Sequence, residues 1–166
     1  MEVYILRHGI AAERGGISYP NDDRPLTEEG IEKMQKAAKG IAELIPRVDV
    51  ILTSPLERAR HTAQIAAEAL SCEANVKTCK ELLPGTSVAE LAESLRSLRV
   101  KERLMLVGHE PGLSQFASYL IGSAASVIEF KKGSLCRIDV DKVPPSKSGV
   151  LVWHLTPKQL RSVGKT

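Results

Sequence analysis

The sequence is short of cysteine and has no large excess of charge of either sign. Its three cysteines, Cys72, Cys79 and Cys136, are odd in number and fit neither a zinc-binding spacing nor a disulfide framework, which favours a reducing compartment. Lys and Arg number 23 against 20 acidic residues, and the net charge of +3 is too small to indicate general binding to nucleic acid or membranes. A local anion site is compatible with this balance.

Long hydrophobic runs are absent as well. The chain passes from Met1 directly into a short strand-like segment, and no later stretch approaches about 20 apolar residues. We therefore expect a soluble cytoplasmic protein without membrane spans. An apolar content of 43% is enough for a core without disulfides or metals, and we expect one domain that spans residues 1–166.

Strand patterns alternate with helix patterns along most of the chain. Short apolar runs predict strands at residues 3–6, 50–53 and 104–107, with a further short strand near Val76. Amphipathic spacing predicts helices that begin at the N-caps Thr27, Ser54 and Ser87, and a fourth helix that ends near Gly122. The Ser54 boundary combines an N-cap with a proline at the first helical position and a capping-box glutamate.

The C-terminal part has a different pattern. Three extended runs lie at residues 127–130, 135–140 and 150–155, and a loop rich in proline and serine separates the last two, which predicts an antiparallel hairpin. Together the elements predict a three-layer α/β/α fold with a mostly parallel central sheet and antiparallel C-terminal edge strands.

Basic residues and histidines fall where the predicted strands end. Arg7 and His8 follow the first strand, Arg58 lies in the first turn after the second strand, and His109 follows the strand at 104–107. Ligands of open α/β sheets bind beyond the carboxyl ends of the strands. Guanidinium groups match phosphate oxygens with paired hydrogen bonds, and helix N-termini add N–H donors. The pattern therefore predicts a phosphoryl site.

The same residues indicate a mechanism. A neutral imidazole nitrogen can attack phosphorus and form a phosphoenzyme that water then opens, and we predict His8 as this nucleophile. Arg7, Arg58 and a protonated His109 would stabilise the charge of the transition state. The histidines lack a paired metal-ligand spacing, and we expect neither a metal nor another cofactor.

Four ordered motifs extend beyond these residues, and a fifth element closes the chain at Leu155-Thr156-Pro157. The four are Leu6-Arg7-His8-Gly9, Asp23-Arg24-Pro25-Leu26-Thr27 with Gly30, Thr53-Ser54-Pro55 through Arg58-Ala59 to Thr62-Ala63, and Val107-Gly108-His109. Together they resemble the histidine phosphatase superfamily, the phosphoglycerate mutase-like proteins, and within it the SixA-type phosphohistidine phosphatases.

The resemblance implies a phosphorylated His8, with Arg7, Arg58 and His109 as the rest of the phosphate pocket and Arg24 as a further contact. It also implies that phosphate is removed from a phosphohistidine in a partner such as a histidine-containing phosphotransfer domain. Mutase members carry a serine and a phosphate-binding asparagine shortly after Arg-His-Gly, where this chain has isoleucine and two alanines. This departure argues against a sugar-phosphate mutase.

Several residues keep two interpretations. Arg24 could instead pair with Asp22 or Asp23, and Glu81 is either a general acid for a phosphate ester or an ordinary loop residue. We expect structural roles for His61 and His154.

No cysteine begins a cysteine-phosphatase loop, and no glycine-rich loop ends in Gly-Lys-Ser. The alternatives to a phosphohistidine phosphatase are a small-molecule phosphate ester phosphatase with Glu81 as the acid and an inactive phosphate-binding signalling module.

Overall fold

A six-stranded mixed sheet forms the centre of the molecule. The computed structural model describes residues 1–15, 17–98 and 101–165. The strands of this sheet are β1 (Glu2–Arg7), β2 (Val50–Thr53), β3 (Val76–Thr78), β4 (Arg103–Gly108), β5 (Leu135–Asp139) and β6 (Val150–Leu155). Their spatial order is β3-β2-β4-β1-β5-β6; the first four are mutually parallel, and β5 and β6 add in antiparallel register. The predicted fold class and C-terminal hairpin are confirmed.

Helices cover both faces of this sheet. They are α1 (Glu28–Leu44), α2 (Glu57–Ala69), α3 (Val88–Ser94), α4 (Gly112–Leu120) and α5 (Pro157–Val163), and 3-10 turns lie at Glu73–Asn75, Lys80–Leu82 and Arg96–Leu98. Alternate side chains of β1 point to opposite faces, so Val3 and Ile5 pack with α3 and α4, whereas Tyr4 and Leu6 pack with α1, α2 and α5. One hydrophobic core lies on each face of the sheet, so the sheet and the helices on its two faces form the three layers. Within the described residues, no helix is long and apolar enough to cross a membrane.

The connection from β1 to α1 brings the chain back across the end of the sheet. Thr27 caps α1 as predicted, because its hydroxyl accepts a hydrogen bond from the Gly30 N–H at 3.0 Å. The Thr27 N–H in turn donates to the Ile10 carbonyl at 3.0 Å. A Cβ atom at Gly30 would lie 2.0 Å from that carbonyl oxygen, so only glycine permits this close approach. The loop after β1 is thereby fixed against the first turn of α1.

The predicted start of α2 is wrong. The helix begins at Glu57, three residues after the predicted N-cap Ser54, and no side chain of the N-cap residue Leu56 bonds to it. The Ser54 hydroxyl accepts a hydrogen bond from the Leu56 N–H at 3.3 Å, just before the helix, and it also contacts the His109 ring. The carboxylate of Asp23 accepts the hydrogen bond from the Glu57 N–H at 2.6 Å. A side chain from a distant loop thus performs the capping that the local sequence assigned to Ser54.

The strand predicted at residues 127–130 is absent from the structure. The backbone of this segment bonds to side chains rather than to a neighbouring strand. The Val127 N–H donates to the Ser118 hydroxyl, and the Phe130 carbonyl accepts from Arg7. The helix at Ser87 has the predicted capping box but ends at Ser94. Helix α5 was not predicted, although its capping box and N-terminal proline are visible in the sequence.

Candidate active site

Two histidines meet at the carboxyl edge of the sheet, because β1 and β4 are adjacent parallel strands and each ends immediately before one of them. Arg7 pairs in register with Gly108, so His8 and His109 occupy neighbouring positions. Their ring centroids are 5.1 Å apart and their planes are inclined by 54°. Each residue is only 5% exposed. The fold therefore brings the two predicted site histidines together at a largely buried position.

The hydrogen bonds of His8 define which ring nitrogen is free. Its Nδ1 atom lies 2.7 Å from the Gly9 carbonyl oxygen. A carbonyl oxygen only accepts, so this partner assigns the proton to Nδ1 and leaves the lone pair on Nε2. The Gly9 N–H donates to the Thr62 hydroxyl, which donates to the Arg58 carbonyl. Helix α2 thus holds the backbone that orients the His8 ring.

His8 is neutral in this environment. Burial is the main cause that lowers its pKa to about 3, and the bond to the Gly9 carbonyl opposes that shift. The positive charges of Arg58 and Arg7 lower the pKa further. A neutral imidazole with an unprotonated Nε2 is the form that can act as a nucleophile.

Arg58 presents its guanidinium to His8 from the first turn of α2. Its Nε atom lies 3.4 Å from His8 Nε2. Its Nη1 donates to the Asp22 carbonyl at 2.6 Å, and its Nη2 donates to the Asp22 carboxylate at 3.1 Å. Arg58 is 2% exposed, and burial lowers its pKa, but an arginine remains charged at any ordinary pH. The fixed positive charge therefore faces the candidate nucleophile.

Arg7 and His109 each carry a buried polar atom that has no hydrogen-bond partner among the described residues. Arg7 binds the Phe130 carbonyl through Nη1 at 2.6 Å, while its Nε is unpaired. His109 contacts the Ser54 hydroxyl through Nε2 at 2.7 Å, while its Nδ1 is unpaired. Buried polar atoms are nearly always paired in proteins, so these two are free to bond to a polar ligand. Two other buried atoms, Ser134 Oγ and His154 Nε2, are unpaired as well.

The protonation of His109 differs from the sequence prediction. Burial, followed by the charge of Arg58, lowers the pKa of His109 to about 3, so the protein by itself keeps this ring neutral. A phosphoryl group would bring negative charge next to Nδ1 and favour the imidazolium. The predicted protonated form thus depends on the charge of the substrate.

Arg24 lies at the edge of this site and makes the ion pair that its alternative interpretation foresaw. Its Nε donates to the Asp22 carboxylate at 2.8 Å, and its Nη1 donates to the Ala12 carbonyl at 2.6 Å. Its charge is nevertheless among the causes that lower the pKa of His109, after burial and Arg58. Arg24 therefore contributes to the positive field of the pocket while it is bonded to Asp22.

Glu81 borders the His109 side of the site without bonding to either histidine. Its carboxylate accepts a hydrogen bond from the Cys79 thiol at 3.4 Å and lies 4.0 Å from the Lys80 ammonium group. Glu81, His109 and Leu113 line one small cleft. The structure therefore places Glu81 beside the pocket, with its carboxylate directed to its own loop.

The remaining histidines lie elsewhere. His61 is half-buried on α2, and the ring of His154 packs against Phe130 at a centroid distance of 4.9 Å. Sequence reasoning gave no site role to Thr62 or Ser54, although both lie inside quoted motifs, and it treated Asp22 only as a surface partner of Arg24. Among the described residues, no group of three or more His, Cys, Asp or Glu side chains could hold a metal ion.

Comparison with known proteins identifies the family of this chain. The family model of the histidine phosphatase superfamily (branch 1) matches residues 3–83. An uncharacterised protein of Picosynechococcus sp. is 35% identical over 139 residues, which cover 81% of this chain and 82% of that protein.

Solved structures share the fold across almost the whole chain. The protein histidine phosphatase SixA complexed with tungstate superposes with a TM-score of 0.84 at 23% identity, over 96% of this chain and 99% of that one. The α-ribazole phosphatase from Shigella flexneri gives a TM-score of 0.69 at 19% identity, over 91% of this chain and 94% of that one. At these identities the likeness shows the fold.

Proposed function

The chain belongs to the histidine phosphatase superfamily, and from this premise we propose that it is a phosphohistidine phosphatase. Its substrate is a histidine-containing phosphotransfer protein, and its reaction passes through a covalent phosphohistidine on His8. The observation that carries the proposal is the pair of unpaired buried atoms, Arg7 Nε and His109 Nδ1, in the pocket of a neutral His8. Arg7 Nε always carries a proton, and His109 Nδ1 carries one in the imidazolium or in the neutral tautomer whose Nε2 accepts from Ser54, so both atoms can donate to phosphoryl oxygens.

In the first step, His8 Nε2 attacks phosphorus and the bond from phosphorus to the substrate nitrogen breaks. The attacking atom already carries the lone pair, so no base has to remove a proton from it. Arg58 Nε, which lies 3.4 Å from this atom, is placed to bind an oxygen of the transferring group. The departing imidazole takes a proton from solvent and leaves as a neutral ring.

In the second step, water attacks the phosphoryl group on His8. The bond between phosphorus and His8 Nε2 breaks, the water oxygen becomes the fourth oxygen of inorganic phosphate, and the water proton passes to solvent or to the phosphate. Neutral His8 is restored with its Nδ1 proton still bonded to the Gly9 carbonyl. The two steps together consume one water and need no external electron donor or acceptor.

The choice of phosphohistidine rests on the leaving group. An alcohol leaves a phosphate ester as a basic alkoxide unless an acid delivers a proton, whereas a protonated phosphoimidazole leaves as a neutral ring. Glu81, the candidate acid beside the pocket, accepts a hydrogen bond from the Cys79 thiol. The structural likeness to a protein histidine phosphatase supports the same choice.

The second candidate is a phosphatase for a small phosphate ester. It is favoured by the position of Glu81, which lines the same cleft as His109. The likeness to an α-ribazole phosphatase is in keeping with this alternative. Both candidates use the same nucleophile and differ in the acid.

A substrate panel separates them. The purified protein is offered a phosphohistidine protein, phosphorylated sugars, nucleotides, and serine and tyrosine phosphopeptides at equal concentration, and phosphate release is measured. We expect the highest kcat/KM for the phosphohistidine protein. A preference for a phosphorylated sugar or a nucleotide would replace the first candidate by the second, and a preference for a phosphopeptide would exclude both.

A further inference from the structure

Asp22 bonds to two arginines of the candidate site, Arg24 and Arg58. Its carboxylate oxygen Oδ1 accepts from Arg24 Nε at 2.8 Å, and its Oδ2 accepts from Arg58 Nη2 at 3.1 Å. Its main-chain carbonyl accepts a third bond, from Arg58 Nη1 at 2.6 Å. Burial alone would raise the pKa of this carboxyl, but the bonds and charges of Arg24 and Arg58 outweigh burial and lower the pKa. The carboxylate is therefore charged at neutral pH.

The two bonds to Arg58 occupy one particular edge of its guanidinium. A guanidinium has an end fork, formed by Nη1 and Nη2, and a side fork, formed by Nε and Nη2. Asp22 fills the end fork with its carbonyl and its carboxylate. The side fork is the edge that faces His8, because Nε lies 3.4 Å from His8 Nε2. Asp22 thus holds Arg58 by one fork and leaves the other directed at the nucleophile.

The backbone of Asp22 is unusual in a way that serves this contact. Asp22 has a φ of 58°, in the left-handed region that few residues other than Gly, Asn and Asp adopt readily. This conformation lets the carbonyl and the carboxylate of one residue bond to the same guanidinium. The next residue, Asp23, bonds to the first N–H of α2 and fixes the loop to the helix that carries Arg58.

We propose that Asp22 is a positioning residue of this site, which fixes the Arg58 side fork in register with His8 Nε2 and the transferring phosphoryl group. The inference rests on the proposed function in so far as a phosphoryl group is transferred to His8. The competing interpretation is a plug, in which Asp22 merely occupies Arg58 until the substrate anion displaces it. The two interpretations predict opposite effects on turnover.

The turnover number kcat separates orientation from charge. Loss of the Asp22 carboxylate removes a negative charge beside the pocket and so strengthens the binding of any anion there. This effect stabilises the bound substrate and the transition state alike, so it changes mainly KM. Misalignment of Arg58 acts only where charge is redistributed during transfer and lowers kcat. If Asp22 is a positioning residue, its removal therefore lowers kcat. If Asp22 is a plug, its removal leaves kcat unchanged.

Two substitutions suit the left-handed backbone. Asp22→Asn keeps one oxygen acceptor and loses the charge, and Asp22→Gly removes the side chain but keeps the main-chain carbonyl. The matched control is Glu13→Gln, which removes one negative charge from an exposed position of the same loop. The substrate is p-nitrophenyl phosphate, because its leaving group needs no acid and the assay does not depend on the identity of the natural substrate.

We expect both Asp22 variants to lower kcat about tenfold with unchanged thermal stability, and Glu13→Gln to keep the parental kcat. In an Arg58→Lys background, which has the charge but no fork, the Asp22 substitutions should change kcat less than about twofold. Variants that keep the parental kcat, or that lose the same tenfold in the Arg58→Lys background, would overturn the inference. A parent that hydrolyses p-nitrophenyl phosphate but no phosphohistidine protein would overturn the proposed substrate alone. A parent inactive on both would overturn the phosphoryl site and this inference with it.

Discussion

The Nδ1 atom of His8 lies 2.7 Å from the carbonyl oxygen of Gly9, its own neighbour in the chain. This contact assigns the ring proton to Nδ1, and Nε2 is then the nitrogen that faces Arg58. The Gly9 backbone is held by Thr62 of α2, so the orientation of the nucleophile depends on the same helix that carries Arg58. One helix thereby positions both the nucleophile and a cation for the phosphoryl oxygens.

Removal of the Arg58 guanidinium should abolish most of the activity. We expect Arg58→Ala to lower kcat by about a hundredfold or more, because the charge that develops on the transferring phosphoryl group is left without its buried counter-charge. Steady-state hydrolysis of the phosphohistidine protein is the measurement. Arg60→Ala removes an exposed arginine from the same helix and should retain parental turnover. A loss of less than about threefold in Arg58→Ala would remove Arg58 from the site.

Glu81 distinguishes the two candidate substrates. Glu81→Gln keeps an oxygen that can accept the Cys79 thiol bond, and it removes the proton that a general acid would deliver. We expect phosphohistidine hydrolysis within about tenfold of the parent, while any weak ester hydrolysis falls about a hundredfold or more. Both substrates are measured on one preparation of each protein. If the parent prefers an ester and the variant loses that activity, the phosphohistidine assignment is withdrawn.

The buried histidines should make the fold sensitive to acid. Burial lowers the pKa of His8 and of His109 to about 3, whereas an unfolded chain titrates its histidines near 6.5. Between these values the unfolded state binds more protons, so stability is full above pH ~6.5 and is lost as the pH falls toward ~3. One such histidine lowers the free energy of unfolding by about 2 kcal/mol at pH 5.

The measurement is the free energy of unfolding in urea at neutral pH and at pH ~5, for the parent and for His109→Gln. The glutamine can still bond to Ser54 but does not titrate, so the decrease between the two pH values should shrink by about 2 kcal/mol. Equal decreases in parent and variant would show that His109 takes up its proton in the folded state.

Much of the fold follows from local sequence signals. The apolar runs of β1, β2 and β4 and the capping residues Thr27 and Ser87 predicted their elements because buried parallel strands and capped helices have strong local patterns. The boundary at Ser54 failed although the Ser54 hydroxyl accepts the Leu56 N–H, because the first N–H of the helix, that of Glu57, bonds to Asp23, a residue 34 positions away. Local pattern does not contain that partner.

In the candidate site, too, part of the arrangement follows from the sequence and part does not. The placement of His8, Arg58 and His109 follows from the rule that parallel strands end at a common edge. The bonds that orient them do not follow from it, because Thr62, Asp22 and Gly9 act through loop and helix geometry across long stretches of chain. The neutrality of His109 was likewise hidden from the sequence, since it arises from burial.

The most direct test of the account is to trap the phosphoenzyme. The protein is mixed briefly with substrate labelled in its phosphoryl group and quenched at alkaline pH, and the modified residue is located by mass spectrometry of its peptides. We expect phosphate on His8, bonded to Nε2, and we expect His8→Ala to keep the fold and neither bind phosphate covalently nor turn over. Phosphate recovered on another residue, or turnover by His8→Ala, would contradict the mechanism.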